Sequence, residues 1–288
     1  MTLASYASYS GLGLVQAAVV LLPRAPQPRW LAALRRRWLL VIGPAAALTA
    51  ATFIPSVASA FASGLSTLAL IAVPLLAAVG IAWGMRLHHL VLVPIVPVLF
   101  AVAWADPHGT VGEAAGFALV SLSAVALAVL VVGILPTTVA KIGICVWAAV
   151  DLSVALAHHL EEASRPIFQA TPVVGPHLQF QRVVLGSSSM EYADLFVAAA
   201  LGAVLALEGR RPGVASLLVA LFASASSLFF LVTDTLPATV PIALAMLVDE
   251  LRAQRARWRS SASLGQADTA RRALPSCSGG TDPASRIG

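Results

Sequence analysis

The chain has 288 residues, a formal net charge of +5, 59% hydrophobic and 11% charged residues, and a mean hydropathy of +0.88. Soluble domains carry roughly 45–50% apolar residues, so this balance excludes a soluble core and points to an integral membrane protein. Abundant Ala, Val and Leu with few aromatics favour helices over a transmembrane barrel, whose strands alternate polar and apolar residues, and the positive charge reads as membrane topology and not as nucleic-acid binding.

In chain order, apolar runs of about 17–25 residues predict helices near 8–23, 38–62, 65–84, 88–104, 114–135, 138–158, 188–207, 213–233 and 236–251. The expected fold is therefore an all-α polytopic bundle of nine transmembrane helices over residues 1–251. The opening "MTLASYASYS" has no basic segment ahead of its apolar run, which reads as a retained helix and not a cleaved signal. Pro74, Pro94 and Pro97 are ordinary kinks within spans. Residues 159–187 form a polar connection carrying three prolines, and its amphipathic part would lie on the membrane surface. From residue 252 to 288 the composition shifts to Arg, Ser, Gly and Ala, the signature of a disordered basic tail, with contact to anionic lipid as the further reading.

Lysine and arginine set the orientation. With nine spans and the N-terminus outside, Arg165 and Arg182 are the two outer basic residues, and all the others fall in inner loops or the tail. The C-terminus is then cytoplasmic. Ala- and Arg-rich usage points to a bacterial plasma membrane. Cys145 lies in an apolar run and Cys277 in the tail, which supports neither a disulfide nor a zinc site.

Carboxylates inside apolar helices cost about 2.5–3.5 kcal/mol each at the helix centre and so mark candidate sites. Asp151, in "GICVWAAVDLSVALAHHL", lies near the outer end of the sixth expected helix. Asp194, in "SSMEYADLFVAAALGAVLAL", lies near the start of the seventh. At 1.5 Å per residue both sit roughly 10 Å below the outer boundary. Two facing carboxyl groups share one proton, so one can act as base toward water and the other as acid toward a carbonyl. That chemistry requires a water-filled cavity opening outward. The ninth helix opens at the same level with "TDTLPATVPIALAM", where Pro237 and Pro241 free backbone groups able to bind an extended substrate strand.

These residues resemble the presenilin and signal peptide peptidase group of intramembrane aspartyl proteases. That family has nine spans, a YD motif in the sixth, GxGD in the seventh and PAL opening the ninth. Here Val150 and Asp151 stand for the first, "EYADLF" from Glu191 to Phe196 for the second, and "LPAT" from Leu236 to Thr239 for the third. Val150 takes the tyrosine position, Glu191 and Ala193 the two glycines, and Thr239 the leucine. The resemblance covers residues 138–251 and implies Asp151 and Asp194 as catalytic residues, with Pro237, Ala238 and Ala193 shaping the substrate site. The substrate it implies is a transmembrane helix, and neither cofactor nor metal is required. The topology resembles signal peptide peptidase and is opposite to presenilin.

Two other readings remain open from the sequence: a proton-coupled transporter using the same acids as a relay, and a presenilin-like protein without activity. Glu191, three residues before Asp194, shares its helical face and reads as solvated near the interface. The cluster His158, His159, Glu161 and Glu162 reads as a solvated helix end, and His88 and His89 as structural. Ser187, Ser188 and Ser189 have no GxSxG elbow, and HExxH is absent, so serine and zinc proteolysis are unsupported.

Overall fold

A computed structural model of the chain describes residues 3–24, 64, 66–86, 90–107, 109–156, 180, 182–185, 188–226 and 238–273. Of these, 85% are helical. The elements are α1 (Leu3–Leu21), α2 (Ser66–Gly84, its last turn π-helical), a 3-10 turn at Leu90–Leu92, α3 (Ile95–Ala105), α4 (Thr110–Ile134) and α5 (Thr137–Leu156). Strands β1 (Arg182–Leu185) and β2 (Ser188–Glu191) follow, then α6 (Tyr192–Leu207), α7 (Pro212–Ser226) and α8 (Val240–Ala273). The span expected at 38–62 lies outside the described residues. The chain divides into two compact units, Met1–Met246 and Leu247–Gly288.

By length and composition, α2 and α4 are long and apolar enough to cross a membrane. The outward surfaces of several helices point the same way. Leu68, Ile71, Leu75 and Val79 on α2, Ile142, Val146 and Val150 on α5, and Leu217 and Leu221 on α7 are all exposed. Their spacing of three or four residues places each set on one helical face. Water-soluble helices put polar residues there, so contiguous exposed apolar stripes suit a lipid surround.

Breaks between helices follow local chemistry. Leu135 precedes Pro136 and is extended, with φ −84° and ψ 147°, as the proline ring requires of its predecessor, and α4 stops there. At the end of α6, Gly209 takes φ +68°. The Gly209 amide donates to Ala206 O (3.2 Å) and the Arg210 amide to Leu205 O (2.9 Å), completing a Schellman cap. Pro212 then opens α7, where its missing N–H costs nothing.

The centre of the first unit is α6. Every residue from Val197 to Ala206 is buried, because α6 packs on α1, α4, α5 and α7. An all-round apolar sequence, "VAAALGAVLA", is what such a position demands. Small residues let backbones approach closely: a Cβ on Gly202 would fall 2.3 Å from the Val20 carbonyl oxygen. Across the α1–α7 contact, the buried Ser216 hydroxyl donates to Ala17 O at 2.7 Å.

Two expectations change. The helix expected at 188–207 starts at Tyr192, since residues 188–191 pair antiparallel with β1 in the register Arg182↔Glu191 to Leu185↔Ser188. Val183 and Val184 are β-branched, and Ser188 and Ser189 are poor helix formers. Residues 252–273, expected to be disordered, are helical as part of α8. Ala, Arg, Gln and Leu are good helix formers, and no proline occurs before Pro275.

Candidate active site

Helices α5 and α6 touch, and contacts near both ends show them antiparallel. Near the start of α5, Lys141 pairs with Glu208 at the C-terminal end of α6. Toward the other end, Asp151 lies within electrostatic reach of Asp194. Both residues are half-buried. The pair expected from the sequence thus sits on contacting elements.

Asp194 lies in the first turn of α6, not six residues into a span. It occupies the third helical position of a reciprocal capping box: the Glu191 amide donates to Asp194 Oδ2 at 3.1 Å, and the Glu191 side chain accepts the Asp194 backbone N–H. This meets two of the amide donors that a helix start leaves without partners. The matched depth of about 10 Å is accordingly revised: Asp194 follows a strand and lies roughly 4.5 Å along α6 at 1.5 Å per residue.

Asp151 is anchored from elsewhere. Its Oδ2 accepts the Thr239 hydroxyl at 2.7 Å and the Thr239 backbone N–H at 3.3 Å. Thr239 is 0% exposed and is the residue immediately before α8. A threonine at this cap position ordinarily turns its hydroxyl back to the second or third amide of its own helix. The second residue of α8 is Pro241, which has no amide, and the third, Ile242, donates to the Thr239 carbonyl at 3.1 Å. The hydroxyl is thereby directed to Asp151. Each aspartate is thus held through its Oδ2.

The rest of the expected substrate site divides. Ala238 is half-buried and its carbonyl accepts Gln16 Nε2 at 3.1 Å, so this backbone acceptor is engaged by α1 instead of standing ready for a substrate. Ala193 is half-buried between Tyr192 and Asp194. Pro237 and the cluster from His158 to Glu162 lie outside the described residues. Beside the pair, the Tyr192 hydroxyl is hydrogen-bonded with Ser123 Oγ of α4 at 3.3 Å, and that serine also donates to Val120 O at 2.8 Å.

Two residues here carry no expectation from the sequence. Gln16 is 1% exposed, and its signal was available as a primary amide in the apolar run "GLGLVQAAVVLL". Thr239 was legible only as a departure from PAL, and its role as hydrogen-bond donor to Asp151 emerges from the packing. No family model, characterised protein or solved structure matches this chain.

Proposed function

We propose that the chain is a bacterial plasma-membrane protein, N-terminus out and C-terminus in, that hydrolyses peptide bonds of transmembrane segments using Asp151 and Asp194. The observation that supports this reading is that the two aspartates lie on touching helices, with Asp151 held by Thr239. One carboxylate takes a proton from water while the protonated partner gives its proton to the scissile carbonyl, producing a tetrahedral diol. Breakdown returns a proton to the departing amide nitrogen, the C–N bond breaks, and the pair is again singly protonated. An unwound substrate needs strand partners, and the outer edges of the β1–β2 hairpin, joined directly to α6, offer them.

A structural reading also has a specific observation behind it, the capping box in which Asp194 secures the start of α6. The two are separable because asparagine keeps a side-chain oxygen for the Glu191 amide but cannot share a proton as a carboxyl pair does. The test is cleavage of a model transmembrane peptide by purified wild type, Asp151→Asn and Asp194→Asn in neutral-lipid nanodiscs. Cleavage by wild type and by neither variant is the expected result. Equal cleavage by all three removes the dyad. A transporter using the acids as a relay would instead give proton flux in proteoliposomes that both variants abolish, with the peptide intact.

A further inference from the structure

Gln16 and Asp151 hold the two sides of one peptide unit. The Ala238 carbonyl accepts Gln16 Nε2 at 3.1 Å, and the Thr239 backbone N–H, part of the same amide, donates to Asp151 Oδ2 at 3.3 Å. A peptide unit is planar and stiff about its C–N bond, so its carbonyl and its N–H do not turn independently. Fixing one side therefore fixes the other. A bond accepted by the carbonyl also polarises the amide and strengthens its N–H as a donor, by about 10–30%.

Helix geometry gives this unit its need for outside partners. The intrahelical acceptors of α8 begin at the Thr239 carbonyl, which takes bonds from Ile242 and Ala243, each at 3.1 Å. The Ala238 carbonyl stands one residue before that series, and the Thr239 amide is among the donors a helix start leaves without a helical acceptor. Both groups cost free energy if buried without a partner, and so does the primary amide of Gln16, which is 1% exposed. The backbone around Gln16 is itself well held: α1 packs on α6 and α7, and the Ser216 hydroxyl donates to the carbonyl of the next residue, Ala17, at 2.7 Å.

We propose that Gln16 is a positioning residue for Asp151. It fixes the Ala238–Thr239 peptide, and that peptide, together with the Thr239 hydroxyl at 2.7 Å, fixes the carboxyl group. In the proposed proteolysis, on which this role rests, α1 thus holds the Asp151 carboxyl in its reacting orientation without touching water or substrate. Loss of such a hold weakens the transition state more than substrate binding, so it lowers kcat and leaves KM in place.

The test compares full-length wild type, Gln16→Met, Gln16→Asn and Ser216→Ala in neutral-lipid nanodiscs. The readouts are steady-state cleavage of a model transmembrane peptide and hydrogen–deuterium exchange over residues 237–241, where two prolines leave three amides, Thr239 among them. Methionine fills the space without a donor, and asparagine keeps the amide but is one methylene too short. Ser216→Ala removes the neighbouring hydrogen bond of α1, which runs to α7. A neutral hydrogen bond corresponds to roughly three- to tenfold in an equilibrium or rate. The expected result is a fall of that size in kcat with KM unchanged, and exchange faster by a similar factor, in both Gln16 variants and not in Ser216→Ala. Unchanged kcat, a change carried by KM alone, or an equal fall in Ser216→Ala removes the role. Should wild type cleave nothing, the proposed proteolysis fails, and exchange by itself decides whether Gln16 holds the peptide bonded to Asp151: unchanged exchange in the Gln16 variants overturns it. Should Gln16→Met fail to fold, Gln16→Asn decides.

Discussion

The two ends of the α5–α6 pair solve opposite electrostatic problems. Near Lys141, Glu208 and Arg210, charges of opposite sign meet in pairs, and the Schellman cap satisfies the carbonyls at the end of α6. At the other end two acids, Asp151 and Asp194, lie on touching helices and each is restrained by hydrogen bonds from a different segment. Complementary pairing at a helix end is what stability alone selects. Like-charge approach is unfavourable unless a proton is shared, and the proposed function assigns the chemistry to that end.

The sharpest way to break this contrast is to remove the carboxyl pair without removing its shape. Asp151→Asn and Asp194→Asn are each expected to lower peptide cleavage by on the order of 10²–10⁴-fold, with unchanged circular dichroism. Full activity in either would place the two ends on the same structural footing. Next in size is a change that ignores both ends: Gly202→Val forces a side chain against the Val20 carbonyl. Overpacking of that kind is expected to cost about 1–3 kcal/mol, read as a lowered melting temperature. An unchanged melting temperature would mean that α1 and α6 do not approach as described.

Smaller effects separate the ends more finely. Thr239→Val keeps the side-chain shape and removes the hydroxyl bonded to Asp151. A hydrogen bond to a charged group contributes about 1.5–3 kcal/mol, so cleavage is expected to fall about tenfold or more, with Thr239→Ser restoring most of it. If valine and serine behave alike, Thr239 does not position Asp151. Smallest of all is Glu208→Gln at the paired end, where a partly exposed bridge contributes about 0–1 kcal/mol. Its expected signature is a slight loss of thermal stability with cleavage rates intact, and a large drop in cleavage would erase the distinction between the ends.

Much of this organisation was legible in the amino-acid order. Hydropathy located the starts of α2, α4, α5 and α7 to within four residues and those of α1 and α3 less closely, because a run of apolar residues identifies a buried or lipid-facing helix almost irrespective of its neighbours. It misplaced the start of α6, since "SSSME" is continuous in hydropathy with the helix and the pairing that makes it a strand comes from β1. Residues 252–273 depart from the expected disorder for a related reason. Arg and Ser signal low hydrophobicity, yet the Ala, Gln and Leu interleaved with them carry enough helix propensity to extend α8.

The candidate site divides along the same line. Asp151 and Asp194 stand out unaided, because an acid in a greasy run is costly wherever the run folds. That Thr239, rather than the neighbouring prolines, is the group that grips Asp151 depends on two residues separated by 88 positions. That Gln16 occupies the Ala238 carbonyl depends on a separation of 222. Sequence by itself determined where most of the helices lie and which side chains are too polar for their surroundings, since both follow from local composition. Which of those polar groups meet was decided only by the tertiary structure, because a hydrogen bond needs atoms about 3 Å apart, and only packing brings distant segments so close.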